Sequence, residues 1–299
     1  MIGAGTVPPH ERRRALRAAL ASGVLLRFPG AFAPIVAKLI ERQGFDGAYV
    51  SGAALAADLG LPDIGLVTQS EVVARAQAIV RACTLPVIVD VDTGFGAPLN
   101  AARTVALLEE AGLAGCHLED QESPKRCGHL ERKTLVPAAE MVRRVRAAAE
   151  AQTDADFLLI ARTDARGPEG LDKAIDRAKA YVDAGAAMIF PEALQDEREF
   201  EAFRAAIDAP LMANMTEFGK SPLLSRKALA GLGYNLVIYP VTTFRLAMKA
   251  VEDGLRDLDE GDDQPGLLPR MMTRAHLYDI VDYASYGRFD SAIRDFSEE

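Results

Sequence analysis

The chain has 299 residues, 49% of them hydrophobic, which is ample for one large core. Its 34 lysines and arginines against 43 aspartates and glutamates leave a net charge of −9. With no basic run, that balance excludes nucleic acid and anionic membrane surfaces as natural partners; an anionic substrate must be held by local groups, a few arginines or a metal.

Residues 1–9 are small, contain Gly and Pro, and are expected to fray. Residues 10–20, HERRRALRAAL, read as a basic amphipathic helix ahead of the main fold. No apolar signal region is expected at this end, and no window approaches the ~20 apolar residues of a membrane span. The three cysteines, an odd number without paired spacing, form neither a disulfide framework nor a zinc site. Cys83 and Cys116 lie in apolar surroundings and read as core residues. A reducing cytoplasm is the expected location.

From there a short apolar run alternates with a longer helical pattern. The runs predict strands over 24–28, 47–51, 86–90, 115–119, 157–161, 187–190, 210–213 and 236–239. The Ala-, Leu-, Glu- and Arg-rich stretches between them predict helices over 32–43, 69–82, 100–111, 138–149, 171–184, 197–207 and 226–232. Gly44, Gly112, Gly185 and Gly233 stand just before a strand, where glycine ends a helix. A strand followed by a helix throughout means an α/β protein with a parallel sheet. Eight such units in this length favour a closed (β/α)8 TIM-type barrel over an open sheet. No Gly-x-Gly-x-x-Gly follows the first strand, and Gly94-Phe95-Gly96 is too short to suggest a dinucleotide fold.

After the eighth strand a helix is expected over 242–258, then an acidic break at 259–266 and a further helix over roughly 269–284, ahead of a polar tail. Residues 259–299 read as a C-terminal helical extension packed outside the barrel or on a neighbouring subunit. With no core of its own, it leaves residues 1–299 as one barrel domain.

In such a barrel the active site lies at the C-terminal ends of the strands. There the sequence turns polar each time: Ser51-Gly52, Asp90-Val91-Asp92, Glu119-Asp120, Arg162-Thr163-Asp164, Pro191-Glu192, Asn214-Met215-Thr216-Glu217 and Tyr239-Pro240, with Arg245 one helical turn further on. Asp164 and Thr216 also read as helix caps. Asp90 and Asp92, two residues apart at a strand end, should leave on one side of the pleat. With Glu119 from the adjacent strand they make an oxygen cluster suited to a hard cation, Mg²⁺ or Mn²⁺, and not to zinc. Arg162 would be partly buried and needs a partner, one of these carboxylates or a substrate carboxylate held bidentately. Arg245 and Arg274 can add to this, though each alone reads as a surface arginine. His117, inside a strand, reads as a core residue.

The stretch 115–129, GCHLEDQESPKRCGH, ends in a polar loop where Cys127 stands among Lys125, Arg126 and His129. Cations around a thiol favour the thiolate and lower its pKa, and such a thiol can move a proton. No Ser/His/Asp set is spaced for an acyl-transfer triad. The residues alone thus point to an enzyme with a divalent metal, anion-binding arginines and an acid/base cysteine. Its substrate would be a small di- or tricarboxylate. A catalytically dead barrel is the other class, and the presence together of Asp90, Asp92, Cys127 and Arg162 argues against it.

SGA at 51–53, VDVDTGFG at 89–96, HLEDQ at 117–121, PKRCGH at 124–129, ARTDA at 161–165, PEA at 191–193 and NMTEFG at 214–219 resemble the isocitrate lyase/phosphoenolpyruvate mutase superfamily. The likeness runs from about residue 22 to the C-terminus. It implies Mg²⁺-dependent retro-Claisen cleavage of 2-methylisocitrate to pyruvate and succinate, a step in propionate breakdown. It further implies that Ser51, Gly52 and Ala53 line the pocket of the pyruvate part. Asp90 and Asp92 match metal positions, and Glu119 one reached through water. Cys127 matches the acid that protonates the succinate carbanion, and Tyr49 is the candidate base. Gly128, Arg162, Glu192, Asn214, Met215, Thr216, Arg245 and Arg274 match substrate-binding positions. The family's barrel exchanges its final helix between subunits of a dimer-based homotetramer.

Two departures bear on the substrate. Leu130-Glu131-Arg132-Lys133 follows the loop where relatives often carry Arg-Pro-Asn-Lys, and KRCGHLE also resembles 2,3-dimethylmalate lyases. Isocitrate lyases proper are longer and usually carry Lys where Arg126 stands. Phosphonopyruvate-type mutases lack the loop cysteine, so Cys127 favours C–C over P–C chemistry. Oxaloacetate decarboxylase-like relatives share the scaffold.

Overall fold

The computed structural model describes residues 7–129, 133–261 and 263–295, so the departure at 130–132 lies outside the described residues. Pro9, which has no N–H to leave unpaired, opens α1 (Pro9–Ala21). Then follow β1 (Leu26–Pro29), α2 (Pro34–Arg42), β2 (Ala48–Val50), α3 (Gly52–Asp58), α4 (Gln69–Val80), β3 (Val87–Asp90), α5 (Pro98–Glu110), β4 (Gly115–Glu119) and α6 (Ala138–Glu150). The order continues with β5 (Leu158–Thr163), α7 (Arg166–Glu169), α8 (Leu171–Asp183), β6 (Met188–Pro191), α9 (Glu197–Ala206), β7 (Met212–Asn214), α10 (Arg226–Gly231), β8 (Leu236–Tyr239) and α11 (Thr242–Gly261).

Every strand is parallel to its neighbours. β2 to β6 pair in chain order, and β7, β8 and β1 pair as a second set. Bridges from Gly30 to Tyr49 and from Ile189 to Leu211 join the two sets, so the strands close into the expected barrel. The alternation of strand side chains fills both layers. Phe28, Tyr49, Ile88, Ile160, Phe190, Met212 and Ile238 pack inside the barrel. Val50, Val89, Cys116, Leu118, Leu159, Ala161 and Val237 pack outward under the helices. Cys83 joins that outer layer, so both core cysteines lie where expected. Each of these large aliphatic or aromatic side chains contributes roughly 1.5–3 kcal/mol by leaving water.

α1 closes the bottom of the barrel. Leu16 and Leu20, four residues apart and so on one face, pack against the inner cluster. Two of its arginines point at the barrel: Arg12 donates to the Val80 carbonyl, and Arg13 donates to the Leu113 and Glu109 carbonyls and pairs with Asp154 at 2.9 Å. The top is thereby left as the open end.

The C-terminal part differs from expectation. α11 runs through the expected break to Gly261. A 3₁₀ turn (Pro265–Arg270), α12 (Arg274–Ile280) and α13 (Tyr283–Arg294) then replace one helix over 269–284. The Thr273 side chain caps α12 through the His276 N–H, and Asp282 at φ 56° breaks the chain between α12 and α13. α12 lies on α2, held by Arg42 on Asp279 at 2.5 Å. Among the described residues no helix is long and apolar enough to cross a membrane.

Candidate active site

Strand parity sets what faces the open end. The inward row of β5, Leu158 and Ile160, continues to Arg162, and that of β6, Met188 and Phe190, continues to Glu192. Likewise Ile88 leads to Asp90, and Met212 to Asn214. Register puts Glu119 beside Arg162 and Asp90 beside His117.

Arg162 is the hub. Its guanidinium reaches Asp164 at 2.9 Å, Glu119 at 3.2 Å and Glu192 at 3.3 Å, and lies 5.2 Å from the Phe190 ring centroid. The partner it needed is therefore a set of three carboxylates. Burial works against its charge, and Asp164, Glu119 and Glu192 outweigh burial. Glu119 differs from its neighbours. Burial lifts its carboxyl well above the usual range, with Arg162 opposing, and neither of its oxygens has a hydrogen-bond donor among the described residues. Glu192 is opposite: burial would raise it, but Arg162 and His129 hold it well below the ordinary carboxylate value. Asp164 caps no helix; it pairs with Arg162 and, at 2.9 Å, with Lys133.

The carboxylates at the end of β3 converge for a different reason from the one expected. β3 stops at Asp90, and Asp92 sits beyond it in a turn at φ 48°, where pleat alternation does not apply. The Asp92 N–H donates to Asp90 Oδ1 at 3.0 Å, and the Gly52 N–H to Asp90 Oδ2 at 3.3 Å. A Cβ on Gly52 would stand 2.9 Å from Asp90 Oδ2 and 3.4 Å from Asp92 Oδ1. Glycine thus keeps open a space that two carboxylates share. Among the described residues no three His, Cys, Asp or Glu side chains gather around one point, so the expected trio of Asp90, Asp92 and Glu119 is not formed. Glu119 is turned to Arg162 instead. Burial raises Asp92 to about 6, with Lys125 opposing and Asp90 adding, and its Oδ1 has no hydrogen-bond donor among the described residues. An all-oxygen pair with an unbonded buried oxygen fits a hard cation that keeps waters, as Mg²⁺ does.

The cysteine loop lies over this floor. Gln121 clamps it at both ends of Arg126, accepting from the Arg126 N–H and donating to its carbonyl, each at 2.9 Å. A Cβ on Gly128 would fall 2.2 Å from Arg162 Nη2 and 2.5 Å from Glu192 Cγ, so the backbone there rests directly on the hub. Lys133 donates to the Gly128 carbonyl. His129 Nδ1 accepts from the Lys220 N–H at 2.9 Å, which leaves the Nε2 hydrogen for Glu192 Oε1 at 2.9 Å.

These partners overturn the expected low thiol pKa. The loop cations face carboxylates: Lys125 bridges Asp63 and Asp92, and His129 holds Glu192. Burial pushes the Cys127 thiol up; the His129 backbone and Arg162 oppose this, while Asp63 and Glu192 add to it. Cys127 is a protonated thiol, fit to give a proton.

The remaining expected residues divide. Ser51 is buried and caps α3 through the Ala54 N–H at 3.3 Å, with Gly52 and Ala53 as the first residues of that helix. Asn214 Nδ2 reaches both Glu192 oxygens at 3.3 Å, and its buried Oδ1 has no partner among the described residues. Thr216 caps no helix; its methyl would lie 3.0 Å from a Cβ on Gly219 beside His129. Met215 does not face the site: it packs in the outer layer, where its sulfur accepts from the Leu224 N–H. Arg245 pairs with Glu217 at 3.2 Å and stacks on exposed Phe218 at the rim. Arg274 opens α12 and makes no bond with any site residue among those described. The Tyr49 hydroxyl is 2.7 Å from His117 Nε2, and burial and Asp90 raise it well above an ordinary phenol. His117 is the buried residue expected, lowered to about 4 by burial, with Asp90 opposing.

Sequence reasoning missed Asp63 and gave Lys133 no role. Nothing local marks either residue, since their partners are 62 and 31 residues away.

A parallel barrel that gathers these carboxylates, an arginine and a thiol loop at its open end is an enzyme's. The comparisons place it further. The model of the phosphoenolpyruvate phosphomutase family matches residues 16–258. A probable 2-methylisocitrate lyase of Corynebacterium glutamicum is 58% identical over 284 residues, 95% of this chain and 93% of that one. Crystalline 2,3-dimethylmalate lyase superposes with a TM-score of 0.89 at 30% identity, covering 97% of this chain and 96% of that one. Phosphonopyruvate hydrolase in complex with oxalate and Mg²⁺ superposes at 0.85 with 29% identity, covering 95% and 99%. The chain belongs to the phosphoenolpyruvate mutase family.

Proposed function

We propose that this chain is a carbon–carbon lyase that cleaves 2-methylisocitrate to pyruvate and succinate. The observation that carries the reading is the seating of the Cys127 loop on Arg162 and Glu192, beside the Asp90–Asp92 cradle. The relatives near 58% identity bear the same activity in their names.

Asp90 and Asp92 would hold Mg²⁺, which when bound stabilises the negative charge that develops on the oxygens of the pyruvate half. Ser51, Gly52 and Ala53 at the start of α3 line that half's pocket. Arg162 and Asn214 orient the substrate carboxylates, with Glu192 fixing both donors. Tyr49 removes the hydroxyl proton as its own proton passes to His117 Nε2, 2.7 Å away. The C2–C3 bond then breaks: its electron pair stays on the succinate carbon, and C2 becomes the ketone of pyruvate. Cys127, half-buried and with its thiol pKa raised by that desolvation, gives that carbon its proton. Arg245 and Arg274 are reserved for the closed assembly.

That assembly is a second part of the proposal. Leu246, Val251 and Leu255 on α11 and Tyr286, Phe289 and Ile293 on α13 are all more than 40% exposed, more apolar surface than a soluble monomer leaves bare. A groove of about 770 Å³ between α2 and α11, lined by Phe32, Val36, Leu39 and Leu246, has room for a helix of another copy. A homotetramer of helix-swapped dimers is the expected state, and light scattering after gel filtration tests it: a monomer refutes it. An unbridged thiol at the site favours the cytoplasm.

A second reading, 2,3-dimethylmalate lyase, is favoured by the superposition at 0.89. Steady-state kinetics with Mg²⁺ on 2-methylisocitrate, 2,3-dimethylmalate, isocitrate and oxaloacetate separate the two. A kcat/KM highest for 2-methylisocitrate by about tenfold supports the proposal, since one methyl in an apolar pocket is worth ~1–3 kcal/mol. A preference for 2,3-dimethylmalate moves the substrate and keeps the chemistry. No turnover on any of the four refutes it.

A further inference from the structure

Lys125 occupies an unusual place. Its side chain is 4% exposed, and its ammonium stands between carboxylates from two different loops, Asp63 and Asp92. The two contacts are not equivalent. The ammonium donates a hydrogen bond to Asp63 Oδ1. Towards Asp92 Oδ1 it is an ion pair at 3.0 Å outside hydrogen-bond geometry, and among the described residues that oxygen has no hydrogen-bond donor. Lys125 therefore acts on Asp92 chiefly through its charge. The same Oδ1 borders the space that Gly52 leaves open. A divalent ion and an ammonium cannot share one carboxylate oxygen at these distances without strong repulsion. Asp63 offers the displaced ammonium a partner already in place.

We propose that Lys125 is the resident counter-ion of the Asp90–Asp92 cradle: a divalent cation displaces it from Asp92, Asp63 retains it, and metal loading is thereby coupled to the seat of the thiol loop. This rests on the metal reading above and assigns a role to Lys125 and Asp63 within it. The coupling is mechanical, because Lys125 and Cys127 flank Arg126, which Gln121 clamps from both sides.

The test is calorimetric titration of the full chain with Mg²⁺ alone, without substrate. Lys125→Met removes the competitor, and Mg²⁺ should bind about tenfold tighter. Lys125→Arg keeps the charge and should stay within about threefold of the unmodified chain. Asp63→Asn should weaken Mg²⁺ severalfold, because the ammonium then stays on Asp92; in the Lys125→Met background it should have no effect. That cycle separates displacement from simple loss of charge, which would weaken Mg²⁺ equally in both backgrounds. A second readout needs no variant. Cys83 and Cys116 are only 5% and 0% exposed, so iodoacetamide reports Cys127. Mg²⁺ should change its labelling rate in the unmodified chain, and not in Lys125→Met.

Unchanged or weaker Mg²⁺ binding in Lys125→Met, or an Asp63→Asn effect equal in both backgrounds, overturns the displacement. If Mg²⁺ binds, Asp90→Asn abolishes binding and the Lys125 variants change nothing, the metal reading stands and this inference falls. No Mg²⁺ binding to any form removes both.

Discussion

Gly128→Ala puts the seating of the loop to a direct test. The added Cβ would lie 2.2 Å from Arg162 Nη2, 2.5 Å from Glu192 Cγ and 2.9 Å from Asp164 Oδ1. Relaxed contact needs about 3.5 Å, so something must move by about 1.3 Å. Arg162 cannot: it is buried and held by Asp164 at 2.9 Å, Glu119 at 3.2 Å and Glu192 at 3.3 Å. The loop must lift, and Cys127 lifts with it. Overpacking of this kind costs about 1–3 kcal/mol, and a 1 Å misplacement of a reacting group costs on the order of 10²-fold in rate. We therefore expect kcat to fall by about 10²-fold. The melting temperature should fall by no more than about 5 °C, the equivalent of that cost in a chain of this length, because a lifted loop leaves the barrel core intact. Pyruvate release followed in a coupled assay, with a thermal melt on the same sample, reads both. A kcat within threefold of the unmodified chain would show that the loop does not work from this seat.

Four further outcomes are expected. Cys127→Ser should keep fold and Mg²⁺ binding and lose 10²–10⁴-fold in kcat, the range for a lost general acid; near-normal turnover would end the proton-donor role. Burial raises the Cys127 pKa, so its thiolate is scarce at neutral pH and its alkylation rate should still climb through pH 9 without a plateau; an inflection near 7 would restore the low-pKa thiol. Arg162→Met leaves Asp164, Glu119 and Glu192 facing one another without their cation, and should cost about 3–5 kcal/mol in a denaturant titration; a loss below 1 kcal/mol would contradict the hub. Complete chelation with EDTA should abolish turnover and Mg²⁺ should restore it; activity that survives chelation excludes the metal from the reaction.

The barrel was legible because its signals are local. A short continuous apolar run marks each strand, and a glycine such as Gly112 or Gly185 stops the helix before the next. β4 and β8 have the expected bounds. α3 escaped notice because it starts directly at the rim, where Ser51 acts as both strand-end polar residue and helix cap. The helix over 269–284 was misjudged because its break depends on one αL residue, Asp282, which no Gly or Pro announces. At the site the same limit holds. Which residues reach the rim follows from strand ends, and Asp90, Glu119, Arg162, Glu192 and Asn214 stand there. Which of them pair does not follow. Asp63 with Lys125 and Lys133 with Asp164 are contacts between separate loops, and Met215 turns away because its sulfur is taken into the outer layer.

Pairing also decides the chemistry of the thiol. Around the floor stand Asp90, Asp92, Glu119, Asp164 and Glu192, against the full cations Lys125, Arg162 and Lys133. With every carboxylate charged, this group is short of two positive charges. Burial comes first in pushing Glu119 up and in raising Asp92 to about 6, and the neighbouring carboxylates Asp164 and Asp90 add to it. Nor do the cations near Cys127 in sequence activate it: Lys125 and His129 already serve acids, and the thiol meets Asp63 and Glu192 as well as Arg162. One divalent ion supplies the missing two charges. In this reading the metal does more than polarise the substrate. It balances the floor, so that an anionic substrate can enter a site whose own side chains, taken alone, would repel it.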